Sequence, residues 1–141
     1  MALAAALGVA SLAAPSAQAA ATRRSRVDVT EKDFAVKARH TTVSAGVVVL
    51  HIRNAGPSTH ELNVDRTDDP AADLPLKPDG LTVNEDARSL HRVDSIEELD
   101  LGDSGDLTLR LRPGHYVLYC NLEGHYLGGM RLAIDVVGGS S

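Results

Sequence analysis

Short apolar–polar alternations, each cut off by turn residues, constrain this chain more than anything else in it. Leu107-Thr108-Leu109-Arg110-Leu111 alternates cleanly and is stopped by Arg112-Pro113-Gly114. Val47-Val48-Val49-Leu50-His51-Ile52-Arg53 is β-branched and apolar, and Asn54-Ala55-Gly56-Pro57 ends it. Val27-Asp28-Val29, Phe34 to Ala38, His60-Glu61-Leu62-Asn63-Val64, His115 to Cys120 and Arg131 to Val137 repeat the theme. A period of two places alternate side chains on opposite faces of a strand, and Gly, Pro and Asn mark the turns between. No long window carries the 3.6-residue period of a helix. Many short strands separated by turns predict an all-β fold, an antiparallel sandwich or barrel.

Two stretches lie outside that pattern. The first 22 residues carry no charged side chain and are mostly Ala, Leu, Gly and Ser. An apolar run followed by Ala17-Gln18-Ala19 reads as an export signal over residues 1–21, although the usual positive leader is missing. A membrane anchor is the alternative, but Pro15, Ser16 and Gln18 interrupt the run before about 18 apolar residues accumulate. The expected product is therefore exported, to the periplasm or the outer face of the cell membrane, with no stable membrane insertion. The remaining 22–141 segment, about 120 residues, is ample for one domain. The second stretch, residues 65–86, is acidic and carries Pro70, Pro75, Pro78 and Gly80. It reads as a long surface connection between strands, and residues 87–101 regain order through Ile96, Leu99 and Leu101.

All the charge, a net −5, belongs to the segment after residue 22. A mildly acidic surface argues against nucleic acid, because phosphate binding needs a basic stripe. The chain has one cysteine, so it has no internal disulfide. In an export compartment a lone thiol is buried and inert, paired between chains, or used in chemistry.

Cys120 opens the segment Cys-Asn-Leu-Glu-Gly-His-Tyr-Leu-Gly-Gly-Met, which ends at Met130 and holds His125 at its centre. Thiolate, imidazole and thioether together suit a soft metal, copper before others. A trigonal copper site takes two histidines, one cysteine and a weak axial methionine, so one histidine must come from elsewhere. His60 is the best placed, opening a strand directly after the 54–59 turn. His51 lies mid-strand, His115 begins the strand that ends at Cys120 and so lies at its far end, and His40 and His91 lack convergent neighbours. Gly124, Gly128 and Gly129 permit tight turns between the ligands. The bland alternatives are a buried structural thiol, a methionine filling the core and a turn histidine. Zinc fits less well, because methionine is a poor fourth ligand for it. A nucleophilic Cys120 would need an oxyanion-hole motif, and none accompanies it.

Asn54-Ala55-Gly56-Pro57-Ser58-Thr59-His60-Glu61-Leu62-Asn63-Val64, followed by Arg112 to Met130, resembles the cupredoxins, the small blue copper proteins. The Cys-x4-His-x4-Met loop is similar to that of rusticyanin and auracyanin. The resemblance covers about residues 30–137. It implies a Greek-key β-sandwich, one type 1 copper per chain, and the ligand set His60, Cys120, His125 and Met130. It further implies one-electron transfer without enzymatic turnover, and an amide N–H from Glu61 to the Cys120 sulfur. His125 would lie near the surface, ringed by Tyr126, Leu127, Gly128 and Gly129, where a redox protein partner docks on a monomer. Copper carriage or storage with the same ligands is the other reading. Two features depart from the better-known members: Glu61 stands where Asn is frequent, and the 65–86 connection is long.

Overall fold

The computed structural model describes residues 24–138, so the expected export signal lies outside the described residues. Nine strands form two sheets. The first sheet has β1 (Arg24–Lys32), β2 (Ala35–Ala38), β4 (Gly46–Asn54) and β7 (Ser104–Leu111), in the order β2-β1-β4-β7. The second has β3 (Thr42–Ser44), β5 (His60–Arg66), β6 (His91–Leu99), β8 (Gly114–Tyr119) and β9 (Arg131–Val137), in the order β3-β9-β8-β5-β6. The pairs β1/β4 and β3/β9 are parallel and the others antiparallel. This is the all-β sandwich that the alternation predicts and the Greek-key frame that the resemblance implies, with β1/β4 and β3/β9 departing from a purely antiparallel arrangement.

Alternation decides which side chains enter the space between the sheets. Val27 and Val29 of β1, Val48, Leu50 and Ile52 of β4, and Leu107, Leu109 and Leu111 of β7 all point inward and are buried. Leu62, Val64, Tyr116, Leu118, Cys120, Met130 and Ile134 meet them from the other side. Burying each such aliphatic side chain stabilises the fold by about 1.5–3 kcal/mol.

The run Tyr116-Val117-Leu118-Tyr119 does not alternate, and every one of its residues is buried. A strand reads as continuously apolar when both of its faces are covered. The inner face of β8 meets the main core. Its outer face, Val117 and Tyr119, packs against Leu74, Val83, Leu90 and Tyr126 in a second cluster. The cover comes from residues 67–90, which contribute no strand but are pinned by three apolar anchors. Leu76 and Val83 form a short bridge, and Lys77 N–H donates to Thr82 C=O at 2.9 Å. The connection is thus a fitted lid over the second sheet. Among the described residues no helix is long and apolar enough to cross a membrane.

Candidate metal centre

His60 is delivered by a turn that its own sequence builds. Asn54 is fully buried at the end of β4, and its Nδ2 donates to Ser58 C=O at 2.7 Å and to Leu99 C=O at 2.8 Å. Its Oδ1 accepts the Gly56 N–H at 2.9 Å. This one amide ties the 54–59 turn to both sheets and fixes where β5 begins. The ladder between β5 and β6 slips just after His60, pairing His60 with Leu99 and then Leu62 with Ile96. That irregularity leaves Glu61 out of the ladder and frees its N–H for another partner.

Cys120 follows β8 directly. Its N–H donates to Met130 C=O at 3.1 Å, and the Met130 N–H donates to His125 C=O at 3.0 Å. Between them the chain makes one helical turn, α1 (His125–Gly128), bounded by Gly124 at φ 76° and Gly129 at φ 119°. Both angles are left-handed and favour glycine. Gly124 N–H also donates to Leu81 C=O of the lid at 3.1 Å, so the lid holds the loop from outside.

These elements bring three side chains together. One ligand atom each from His60, Cys120 and His125 lies within 4.8 Å of the other two. Cys120 Sγ is 3.5 Å from His125 Nδ1, and the two imidazole centroids are 5.2 Å apart. His60, Cys120 and Met130 are fully buried and His125 is half-buried. Met130 belongs to the same core cluster as Cys120. Among the described residues no other group of this kind forms. His51 and His115 instead pair with Asp106 and Asp135 on the outside of the sheets, and His40 and His91 are exposed.

Burial sets the protonation of the cluster. It holds His60 below its ordinary value, with the neighbouring His125 adding to the effect, so the ring is neutral at neutral pH. Burial pushes the Cys120 thiol up to about 11, while the N–H groups of Glu61 and Leu122 bond the sulfur and oppose the rise. Nδ1 of His60 has no hydrogen-bond partner, and Nε2 has only the Asp33 carboxylate near it, 3.2 Å away and outside an aligned hydrogen bond. Buried polar atoms are seldom left so, because desolvation without a partner costs about 1–3 kcal/mol. A neutral buried imidazole with a free nitrogen, beside a thiol and a second imidazole, fits a borderline-soft metal ion.

Around the cluster the structure differs from expectation at Tyr126 and at Phe34. Tyr126 is not part of an exposed rim: it is 2% exposed, and its hydroxyl accepts from Leu74 N–H and donates to Ala71 C=O, both at 2.8 Å. Its place beside His125 is taken by Phe34, which is 59% exposed with its ring centroid 6.2 Å from that of His125. Phe34 lies in the β1–β2 turn at φ 65°, not in the strand. Gly128 is small because the Phe34 ring lies against it. Leu127 does remain exposed. Asn121 reaches β5 through its N–H, which donates to Glu61 Oε1 at 3.1 Å, while its side chain binds Val83 and Glu85 of the lid. Nothing local in the sequence signals that residues 33 and 34 come to the site.

Comparison with solved structures places this arrangement. A reduced auracyanin from the photosynthetic bacterium Roseiflexus castenholzii superposes with a TM-score of 0.63 at 21% identity, over 80% of this chain and 97% of that one. Auracyanin B superposes with a TM-score of 0.57 at 28% identity, over 80% of this chain and 88% of the other. The fold is that of the cupredoxins. Reduced rusticyanin shares this cupredoxin fold with a TM-score of 0.58 at 18% identity, over 81% of this chain and 79% of its own. No protein-family model matches the chain, and no curated protein matches it. Within the cupredoxin frame the His60–Cys120–His125 cluster stands at the junction of the 54–59 turn and the Cys120–Met130 loop.

Proposed function

We propose that this protein is a type 1 copper electron carrier, in which His60, Cys120 and His125 would hold the copper and Met130 would be its weaker, tuning ligand. The observation that carries the reading is the convergence of two imidazoles and a thiol within 4.8 Å, with Nδ1 of fully buried His60 unpartnered. Auracyanin and rusticyanin, whose fold this chain shares, are blue copper proteins. When bound, copper supplies a one-electron couple.

The protein's own part is to hold its ligands still. Cys120 would hold copper as its thiolate, giving up its proton on loading, and the N–H groups of Glu61 and Leu122 that bond the sulfur would stabilise the anion. His60 presents a neutral ring without having to lose a proton first. The Cys120–Met130 backbone bond closes the loop on itself, and the lid buttresses it through Leu81 and Tyr126. Such a scaffold resists rearrangement when the charge at its centre changes, which favours rapid exchange. His125 is the ligand nearest solvent, and the apolar edge formed by Leu127 and Phe34 suits brief contact with a redox protein. The mature form is exported, monomeric and not an enzyme.

Visible and EPR spectra of the copper-loaded protein, beside Cys120→Ser, test this. An intense blue band is expected in the wild type and none in the variant. The same band in both would remove Cys120 from the site. Tight Cu(I) binding with no stable Cu(II)–thiolate form would point to copper handling instead.

A further inference from the structure

The β1–β2 turn carries a feature that the ligand reading does not use. Asp33 stands 3.2 Å, Oδ1 to Nε2, from fully buried His60. Its carboxylate is held from the other side by Ser58, whose N–H reaches Oδ1 at 3.2 Å and whose Oγ donates to Oδ2 at 2.9 Å. Gly56 leaves room for this approach, since a Cβ there would come 2.7 Å from the Asp33 nitrogen and 3.0 Å from Oδ1. The next residue, Phe34, accepts a left-handed backbone at φ 65°, a strained conformation for a bulky side chain, and lays its ring by His125. One turn therefore bears on both imidazoles of the cluster.

We propose that Asp33 is a positioning residue for the metal centre, its carboxylate taking the Nε2–H of His60 and leaving Nδ1 as the atom that faces the metal. At 3.2 Å Oδ1 lies within hydrogen-bond distance of Nε2, and among the described residues no other hydrogen-bond partner of Nε2 is present. Carboxylates in this position behind a ligand histidine fix its tautomer and ring orientation and make it a stronger donor. Here the carboxylate is itself oriented by Ser58 of the turn that delivers His60, so turn, carboxylate and ring form one unit. A negative charge this close to the ring also favours the more positive state of the metal, and so holds the reduction potential down. This inference rests on the reading of His60 as a ligand.

Two measurements test it. In metal-free protein, 1H–15N spectra of the histidine rings are expected to show a sharp, downfield Nε2–H signal for His60 that disappears in Asp33→Ala. In copper-loaded protein, Asp33→Asn keeps the shape but not the charge, and is expected to raise the reduction potential while the blue band stays. A residue serving only to hold the turn would alter the melting temperature and leave the potential where it was. The proposal is overturned if the wild type gives no such signal, if Asp33→Ala leaves it intact, or if Asp33→Asn leaves the potential unchanged. Should Asp33→Ala not fold, the nearly isosteric Asp33→Asn supplies the potential and, because its amide oxygen is a weaker acceptor, an upfield shift of the Nε2–H signal in place of its loss; an unmoved signal would overturn the contact. If the wild type takes up no copper, the proposed function fails, and the metal-free signal alone then judges the contact between Asp33 and His60.

Discussion

Glu31 continues the inward row of β1 after Val27 and Val29, and it is fully buried with both carboxylate oxygens unpartnered. Burial, with repulsion from Glu61 added, raises its pKa from 4.5 to about 8. The folded chain therefore keeps a proton that the unfolded chain releases from about pH 4.5 upward. Because the native state binds more protons in this window, stability falls as pH rises, by up to about 1.4 kcal/mol per pH unit. Integrated from pH 5 to pH 8 with the unfolded value at 4.5 and the folded value at about 8, the loss is about 3 kcal/mol. Glu31→Gln removes the titration and keeps the shape. Urea unfolding of the metal-free wild type and variant at several pH values between these limits isolates the effect, because the other ionisable groups are common to both. With m of about 1–3 kcal/mol/M, the gap between the two midpoints should widen by about 1–3 M from the acid to the alkaline end. The variant is expected to be the relatively more stable protein at pH 8. Parallel midpoint curves would refute the reasoning, since they would mean that Glu31 ionises in the folded state as it does in the unfolded one.

Other substitutions probe the loop and its supports. Tyr126→Phe deletes the hydroxyl shared by Leu74 N–H and Ala71 C=O, and should cost about 1–3 kcal/mol in chemical unfolding, because it strands groups buried under the lid. Gly129→Ala places a Cβ 2.7 Å from the Phe34 carbonyl oxygen at φ 119°, a backbone collision that no rotamer relieves; a lowered melting temperature, equivalent to about 1–3 kcal/mol, is expected. Met130→Leu keeps the buried volume of the core, so copper binding should survive while the reduction potential shifts; loss of all copper affinity would contradict a weak axial role.

Which of these features could be read in the sequence depends on whether the information was local. The strands β1, β4 and β7 announce themselves because one face meets the core and the other meets water. The Cys120–Met130 loop is legible because its candidate donors lie within eleven consecutive residues and because their chemistry is rare in combination. β6 was harder: it is an edge strand, mostly exposed or half-buried, with Glu98 at φ 51° breaking its regularity. β3 is three residues long and joins the sheet edge beside β9. The lid over 67–90 reads as acidic and Pro-rich because its anchors Leu74, Val83 and Leu90 are single residues with no period between them. Glu31 shows period and chemistry in conflict: its position in the alternation points inward, and its charge points outward. The position prevailed, and the carboxyl is expected to adapt by keeping its proton.

The same distinction separates the donors of the centre from what holds them. The proposed donors come from two short segments whose order in the chain suffices to suggest them. The supports come from three further places: the 33–34 turn, the Asn54 amide and the 71–85 lid. These reach the centre only through tertiary contacts: Asp33 to His60, Asn54 to Ser58 and Leu99, Leu81 to Gly124, and Leu74 to Tyr126. Each contact acts on a different part of the cluster, so no single one sets its shape. A site restrained from several independent directions resists relaxing toward the preferred geometry of either oxidation state. That resistance is what the proposed electron-carrier role requires, and the lid contributes to it through Leu81 and Val83, which hold Gly124 and Asn121 beside the proposed donors. Loosening it through Tyr126 should therefore broaden the distribution of site geometries, visible as a wider blue band, even where copper is retained. A Tyr126→Phe protein that is less stable yet spectroscopically identical to the wild type would show that stiffness at the centre is set by the ligand loop alone.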